Sequence, residues 1–294
     1  MWLIFALITS LLYACYHLFN QLSSLKAEIF IIYRGILVAL IATPFMLIYH
    51  HIFPWQFYAI VLFQGATISY MDYKYYQAFH KFGAENVNAI RPLTVLITFI
   101  LWLMIRPSTL SLYFNAPYRA LIIMVALMAI VYAGMKYRRQ KIGRDSLKFV
   151  LPLLILSSLI DMSNKVITEY SDGLLLPLTF HRVALTGWII GIINLALNRK
   201  YLHNPRELIN PKNICRGSFL ILLVLSMITI NFSMHYTPHP AYTSAITYLS
   251  VIWLVIINKC RTAMGKKSAY QPIALKWILL LLIAAITLSL ATSL

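Results

Sequence analysis

The stretch IFIIYRGILVAL, Ile29 to Leu40, is apolar almost throughout yet holds an arginine at position 34. In the second half of the chain PLTFHRVALTGWII, Pro177 to Ile190, sets Arg182 in a similar place. A charged side chain inside such a run costs about 2.5–3.5 kcal/mol on membrane-insertion scales and so faces a protein interior with partners. The reading of these two runs, as soluble core or as membrane helices with a polar inner side, decides the fold.

Composition selects between them. The 294 residues are 61% hydrophobic and 11% charged, whereas soluble domains are about a quarter charged. A polytopic membrane protein follows. The net charge of +17 would point to nucleic acid in a soluble chain. Here most cations lie in short connections between apolar runs, as membrane topology and anionic lipid explain, so no nucleic-acid partner is expected. Cys15, Cys215 and Cys260 are far apart and have neither metal nor redox spacing. His17, His181 and His235 also lack metal-site spacing, so neither metal nor cofactor is expected. The opening MWLIFALITSLLYACYHLF has no charged start and no small-residue cleavage site, and reads as the first membrane helix.

A spanning helix needs roughly 20 mostly apolar residues. Ten windows qualify, at 1–19, 27–49, 55–79, 84–105, 117–135, 148–168, 173–197, 217–236, 240–258 and 272–292. Unpaired backbone is excluded in lipid and period-two patterning is absent, so the expected fold is all-α with ten transmembrane helices. Lys and Arg concentrate after windows 1, 3, 5, 7 and 9, as in KYRRQKIGRDSLK (136–148) and NRKYLHNPRELINPKNICR (198–216). The opposite side has Arg106 and Arg119 with Glu169 and Asp172. The positive-inside rule then predicts both termini away from the cytoplasm.

The halves echo each other. Tyr33-Arg34 aligns with His181-Arg182, CYHLFNQ (15–21) with SNKVITE (163–169), and AIRPL (89–93) with AITYL (245–249). Two five-helix repeats, 1–140 and 141–294, follow. Because five is odd, the second is inverted in the membrane, a common basis of alternating access around a midplane site.

In this pattern the chain resembles the drug/metabolite transporter superfamily, EamA-like ten-helix carriers. That family's polar-interrupted first helix of each repeat is matched by YACYHLFNQ (13–21) and LIDMSNKVI (159–167), its early second-helix arginine by Arg34 and Arg182, and its fourth-helix proline by Pro92. Tyr248 stands where the second proline would be, and the glutamate that often closes the fourth helix is missing from both halves. The resemblance covers the whole chain. It implies a ten-helix carrier fold, an inner-membrane location and, contrary to the charge distribution, cytoplasmic termini.

Within the predicted spans lie Arg34, Asp72, Lys74, Arg91, Asp161, Lys165 and Arg182, with Glu85 near an end. Helical spacing gathers Tyr13, Tyr16, His17 and Asn20 on one stripe, and Ser69, Asp72, Tyr76 and His80 on another. Further stripes carry Ser157, Asp161, Asn164 and Thr168; Glu85, Asn88 and Arg91 or Pro92; and Tyr242, Ala245 and Tyr248. The fifth and tenth windows are almost without central polar groups and read as peripheral scaffold, leaving eight helices around a central polar cavity. Each residue has a plainer reading: Arg34 and Arg182 snorkelling to an interface, Asp161–Lys165 as an intrahelical pair, the tyrosines as packing or interfacial belt. Asp72 is the first candidate for proton coupling, since burial shifts carboxyl groups toward physiological pH.

These features point to a secondary-active carrier, functional as a monomer, for a small polar metabolite. It would be driven by a proton or ion gradient or by exchange, since no phosphate-binding glycine loop is present. The excess of cations favours an amino acid, organic acid or nucleotide-like substrate over an organic cation or drug, which would call for aromatic faces, a carboxylate and few cations. The rivals are a membrane-embedded transferase or hydrolase, with YLHNPRELINPKN (201–213) as its one candidate loop, and a lipid flippase or a non-transporting scaffold. An enzyme is not expected, because that loop reads as a turn-rich, solvated connector; an off-centre acid–histidine cluster would point to one.

Overall fold

The computed structural model describes residues 1–23, 25–82, 87, 90–136, 143–264 and 275–293; within them the side chains of Gln21, Phe79, His80, Leu112 and Ser293 are not described. Among the described residues the chain is helical, with no strand. The principal helices are α1 (Trp2–Ser23), α2 (Ala27–Ile48), α3 (Trp55–Phe82), α4 (Leu93–Ile105) and α5 (Pro117–Lys136). They continue with α6 (Arg144–Thr168), α7 (Leu175–Leu197), α8 (Leu220–Tyr236), α9a (Pro240–Thr247), α9b (Ser250–Ala263) and α10 (Leu275–Ser293). Among the described residues eight helical segments are long and apolar enough to cross a membrane: α1, α2, α5, α6, α7, α8 together with the short helix Pro211–Gly217 before it, α9a with α9b (together α9), and α10. The other two do not meet that measure, for separate reasons. With 28 residues α3 has the length, but Gln64, Asp72, Lys74 and Lys81 interrupt its apolar run. The 13 residues of α4 are apolar but start only after Arg91-Pro92, where proline supplies no N–H to continue a helix from the preceding turn.

Side-chain bonds identify two ends of the bundle. At one, Lys26 binds Glu207 at 3.0 Å, Glu28 pairs with Lys200 and Tyr33 donates to the Leu208 carbonyl, so the connection after α7 caps the start of α2. At the other, Ser233 of α8 donates to Trp2 O of α1 at 3.0 Å and bonds Thr243 of α9a at 2.9 Å. Arg119 of α5 also reaches Ala291 O of α10 at 2.5 Å, and Arg106 binds Glu169 at 2.5 Å.

The most extensive packing is between α2 and α7. Gly35 of α2 lies directly against the Gly191 backbone, and a Cβ on Gly187 would come within 2.9 Å of Ala39 N. Only such small residues let helix backbones approach this closely in a membrane. Around this crossing α1 lies on α8 and α9, α6 on α3 and α4, α2 on α8, α7 on α3, and α4 on α9. The pair α5–α10 packs together, while Val125, Met128, Ile283 and Ile286 face outward. The apolar core falls into separate clusters, one joining α4, α5, α9 and α10 and another joining α1, α2, α7 and α8.

Candidate functional site

Arg182 is the most enclosed of the central cations, at 3% exposure. Its Nε donates to Gln64 Oε1 at 2.9 Å, and its two terminal nitrogens donate to Asn164 Oδ1 and Asn231 Oδ1. Gln64 completes the seat by donating to Asn164 Oδ1 at 3.0 Å and Ser163 Oγ at 2.8 Å. A guanidinium from α7 thus rests on neutral amides from α3, α6 and α8. It does not snorkel; burial and three acceptors hold it inside.

Arg34 has a different setting. It forms an ion pair with Asp72 of α3, with the two side chains 30% and 11% exposed. The other carboxylate oxygen, Asp72 Oδ2, is buried with no hydrogen-bond partner among the described residues. Tyr16 is buried beside this pair, with the His17 ring 5.3 Å from its own and Tyr13 farther along α1. Asp72, the first candidate for proton coupling, is thus paired with Arg34.

The Asp161–Lys165 pair does not form. Asp161 accepts from Ser244 of α9a at 2.7 Å, whereas Lys165 donates to the His235 carbonyl at the end of α8, 3.1 Å away. The two side chains, though one turn apart, turn toward different neighbouring helices. No cation lies within ion-pair distance of Asp161 among the described residues, although Arg91 and Arg182 are within electrostatic reach.

Arg91 sits in the turn before α4, its guanidinium 5.8 Å from the centre of the Tyr75 ring. Backbone bonds here are of the tight i→i+3 kind, Thr94 N–H to Arg91 O at 2.9 Å and Val95 N–H to Pro92 O at 3.1 Å. The same tightening separates α9a from α9b, where Leu249 N–H binds Ile246 O at 2.9 Å and Ile252 N–H binds Leu249 O at 2.8 Å. The two interruptions touch: the Tyr248 hydroxyl donates to Arg91 O at 2.7 Å. Tyr13, Tyr16, Arg34 and Tyr248 are all within electrostatic reach of Arg91. Among the described residues three arginines and two aspartates thus share the centre.

Of the residues singled out from the sequence, Arg34, Asp72, Arg91, Asp161, Asn164, Arg182, Tyr16, His17 and Tyr248 fall in or beside this cluster. Tyr76 is half-buried on α3, and Lys165 points to the α8 end. Tyr242 is elsewhere: it bonds the Tyr113 hydroxyl at 2.6 Å and stacks on His239 at 5.2 Å, at the bundle end. Its stripe partner Tyr248 lies just beyond α9a, in the tightened turn, and bonds Arg91 O instead. Glu85 and Asn88 lie outside the described residues. Sequence reading missed Gln64, Asn231, Ser244 and Tyr75. Gln64 and Asn231 were visible as lone amides in apolar runs, LFQGA (62–66) and ITINFS (228–233), but nothing local linked them to Arg182. Among the described residues no group of three His, Cys, Asp or Glu side chains is placed to hold a metal. Comparison with protein-family models and with curated proteins finds no match for the chain.

Proposed function

We propose that this chain is a secondary-active, alternating-access carrier for a small polar metabolite, of the drug/metabolite transporter type, in the cell's inner membrane. On this reading α3 and α4 also cross the bilayer, giving ten spans in two inverted five-helix repeats around a substrate path. The observation that carries it is the meeting of two interrupted helices, Tyr248 on Arg91 O, where the charged groups gather. Interrupted backbone at membrane depth is tolerated where protein buries it or where it lines a polar path, and such breaks form the binding sites of many carriers.

Packing supports the repeat. Exchanging each helix with the one five places along turns α1–α8 into α6–α3, α1–α9 into α6–α4 and α2–α8 into α7–α3, while α2–α7, α4–α9 and α5–α10 map onto themselves; all of these are contacts of the bundle. The arginines obey the same exchange, since Arg34 of α2 binds Asp72 of α3 and Arg182 of α7 binds Asn231 of α8. Among the described residues the buried charged groups gather at the centre of the bundle, which favours transport over a membrane enzyme. Counterflow in proteoliposomes against a metabolite panel tests the reading. Exchange of at least one solute is expected, and binding without flux of any solute would sink it.

A further inference from the structure

The three central arginines differ in what their nitrogens meet. Those of Arg182 are taken up by amide oxygens, and Arg34 has Asp72. Arg91 is half-buried and lies over the face of Tyr75, and its guanidinium N–H groups have no acceptor among the described residues. Stacking on an aromatic face stabilises the cation but leaves its edge, with the planar fork of donors, unused. That fork matches the paired oxygens of a carboxylate or phosphate. Among the described residues the cluster around it has three cations and two carboxylates, Arg34, Arg91 and Arg182 with Asp72 and Asp161, so a bound anion lowers that charge imbalance and a bound cation raises it. Arg91 also occupies the interruption before α4, whose carbonyl is tied to the interruption of α9.

We propose that the substrate is a small organic anion with one carboxylate or phosphate group, received in bidentate fashion by Arg91. This deepens the carrier reading and rests on it for the word substrate; the binding site itself does not depend on flux. The test uses the purified full chain in nanodiscs, with thermal unfolding followed at matched ionic strength. The probes are pyruvate for a carboxylate, methyl phosphate for a phosphate, tetramethylammonium for a cation and glucose for a neutral solute. At least one of the two anions should raise the unfolding midpoint saturably, and tetramethylammonium and glucose should not.

Arg91→Gln should raise the half-saturating anion concentration at least tenfold. Arg91→Lys, which keeps the charge but loses the fork, should raise it several-fold and serves where the glutamine variant does not fold. The proposal is overturned if neither anion gives a saturable shift, if tetramethylammonium or glucose stabilises better, or if the Arg91 variants bind anions as the unsubstituted chain does. Saturable, Arg91-dependent anion binding with no counterflow of any solute would instead overturn the carrier reading and leave the anion site standing.

Discussion

Arg34 and Arg182 occupy matching positions in the sequence, and their surroundings make them chemically unequal. Breaking a buried ion pair by removing one partner costs about 3–5 kcal/mol, whereas replacing both partners by apolar groups is often neutral. Arg34→Met alone should fall near the low end of that range, because the pair keeps some access to water. Arg34→Met with Asp72→Leu should regain most of the loss in thermal unfolding; a double variant no more stable than the single one would contradict the pairing. Arg182→Met cannot be rescued so simply. It orphans the amide oxygens of Gln64 on α3 and Asn231 on α8, each worth about 1–3 kcal/mol if left unsatisfied, and takes one of two donors from Asn164 Oδ1, so the yield of folded protein after extraction should fall sharply. The arginines were legible because a charge inside an apolar run is conspicuous. Their partners were not, because Gln64, Asn164 and Asn231 come from helices far apart in the chain and only packing brings them to one guanidinium.

At the scale of the element, helix interruptions and crossings set the geometry. The α4 interruption was foreshadowed by Pro92. That of α9 was not, because its counterpart in AITYL is Tyr248, which keeps its N–H, and the turn tightens instead through i→i+3 bonds. Tyr248→Phe should cost about 0.5–1.5 kcal/mol for the lost bond to Arg91 O and change substrate exchange more than it changes folding. Counterflow rate and unfolding midpoint measured on the same preparation separate the two effects. The α2–α7 crossing was also written in the sequence, as Gly35 with Ala39 and Gly187 with Gly191, a spacing that goes unnoticed when attention rests on charge. Gly191→Leu would force a side chain into Ile36 and the α2 backbone. Overpacking costs about 1–3 kcal/mol where neighbours can yield, and backbone yields least. The variant should lose its monodisperse peak in size-exclusion chromatography, while Leu197→Ala, at an exposed position, should keep it.

The start of α9a carries a pH dependence. His239 is fully buried, and its Nδ1 accepts the Ala241 N–H at 3.1 Å, so it caps the helix as a neutral ring. Burial pushes its pKa down to about 3, against about 6.5 in an unfolded chain. Between these values the unfolded chain holds the extra proton. The contribution of His239 is therefore complete above about pH 6.5 and falls by about 1.4 kcal/mol per unit as the pH drops toward 3. His239→Asn keeps a capping oxygen and removes the titration, so its unfolding midpoint should vary less between pH 7 and 5 than that of the unsubstituted chain.

At the scale of the whole molecule, hydropathy was enough to make the chain an all-helical membrane protein, since length and apolarity are local properties. Which helix touches which was beyond it, because every apolar face is equally content in lipid and only small residues and polar groups discriminate between neighbours. Orientation is again a property of the sequence. The connection after α7 carries Arg199, Lys200, Arg206, Lys212 and Arg216, and those after α5 and α9 are similarly basic, whereas the opposite end has Arg106 and Arg119. Retention of Lys and Arg on the cytoplasmic side acts through short loops of this kind. The end at which Lys26 meets Glu207 should therefore face the cytoplasm, with both termini on the far side. Resemblance to the carrier family implies the reverse, so one measurement decides between two physical arguments. A reporter fused after Leu294 that is active only outside the cytoplasm supports the charge distribution, and one active only inside overturns it. Moving the charges tests the cause: neutralising Arg199, Lys200, Arg206, Lys212 and Arg216 together should weaken the orientation preference and yield a mixed population with the same reporter.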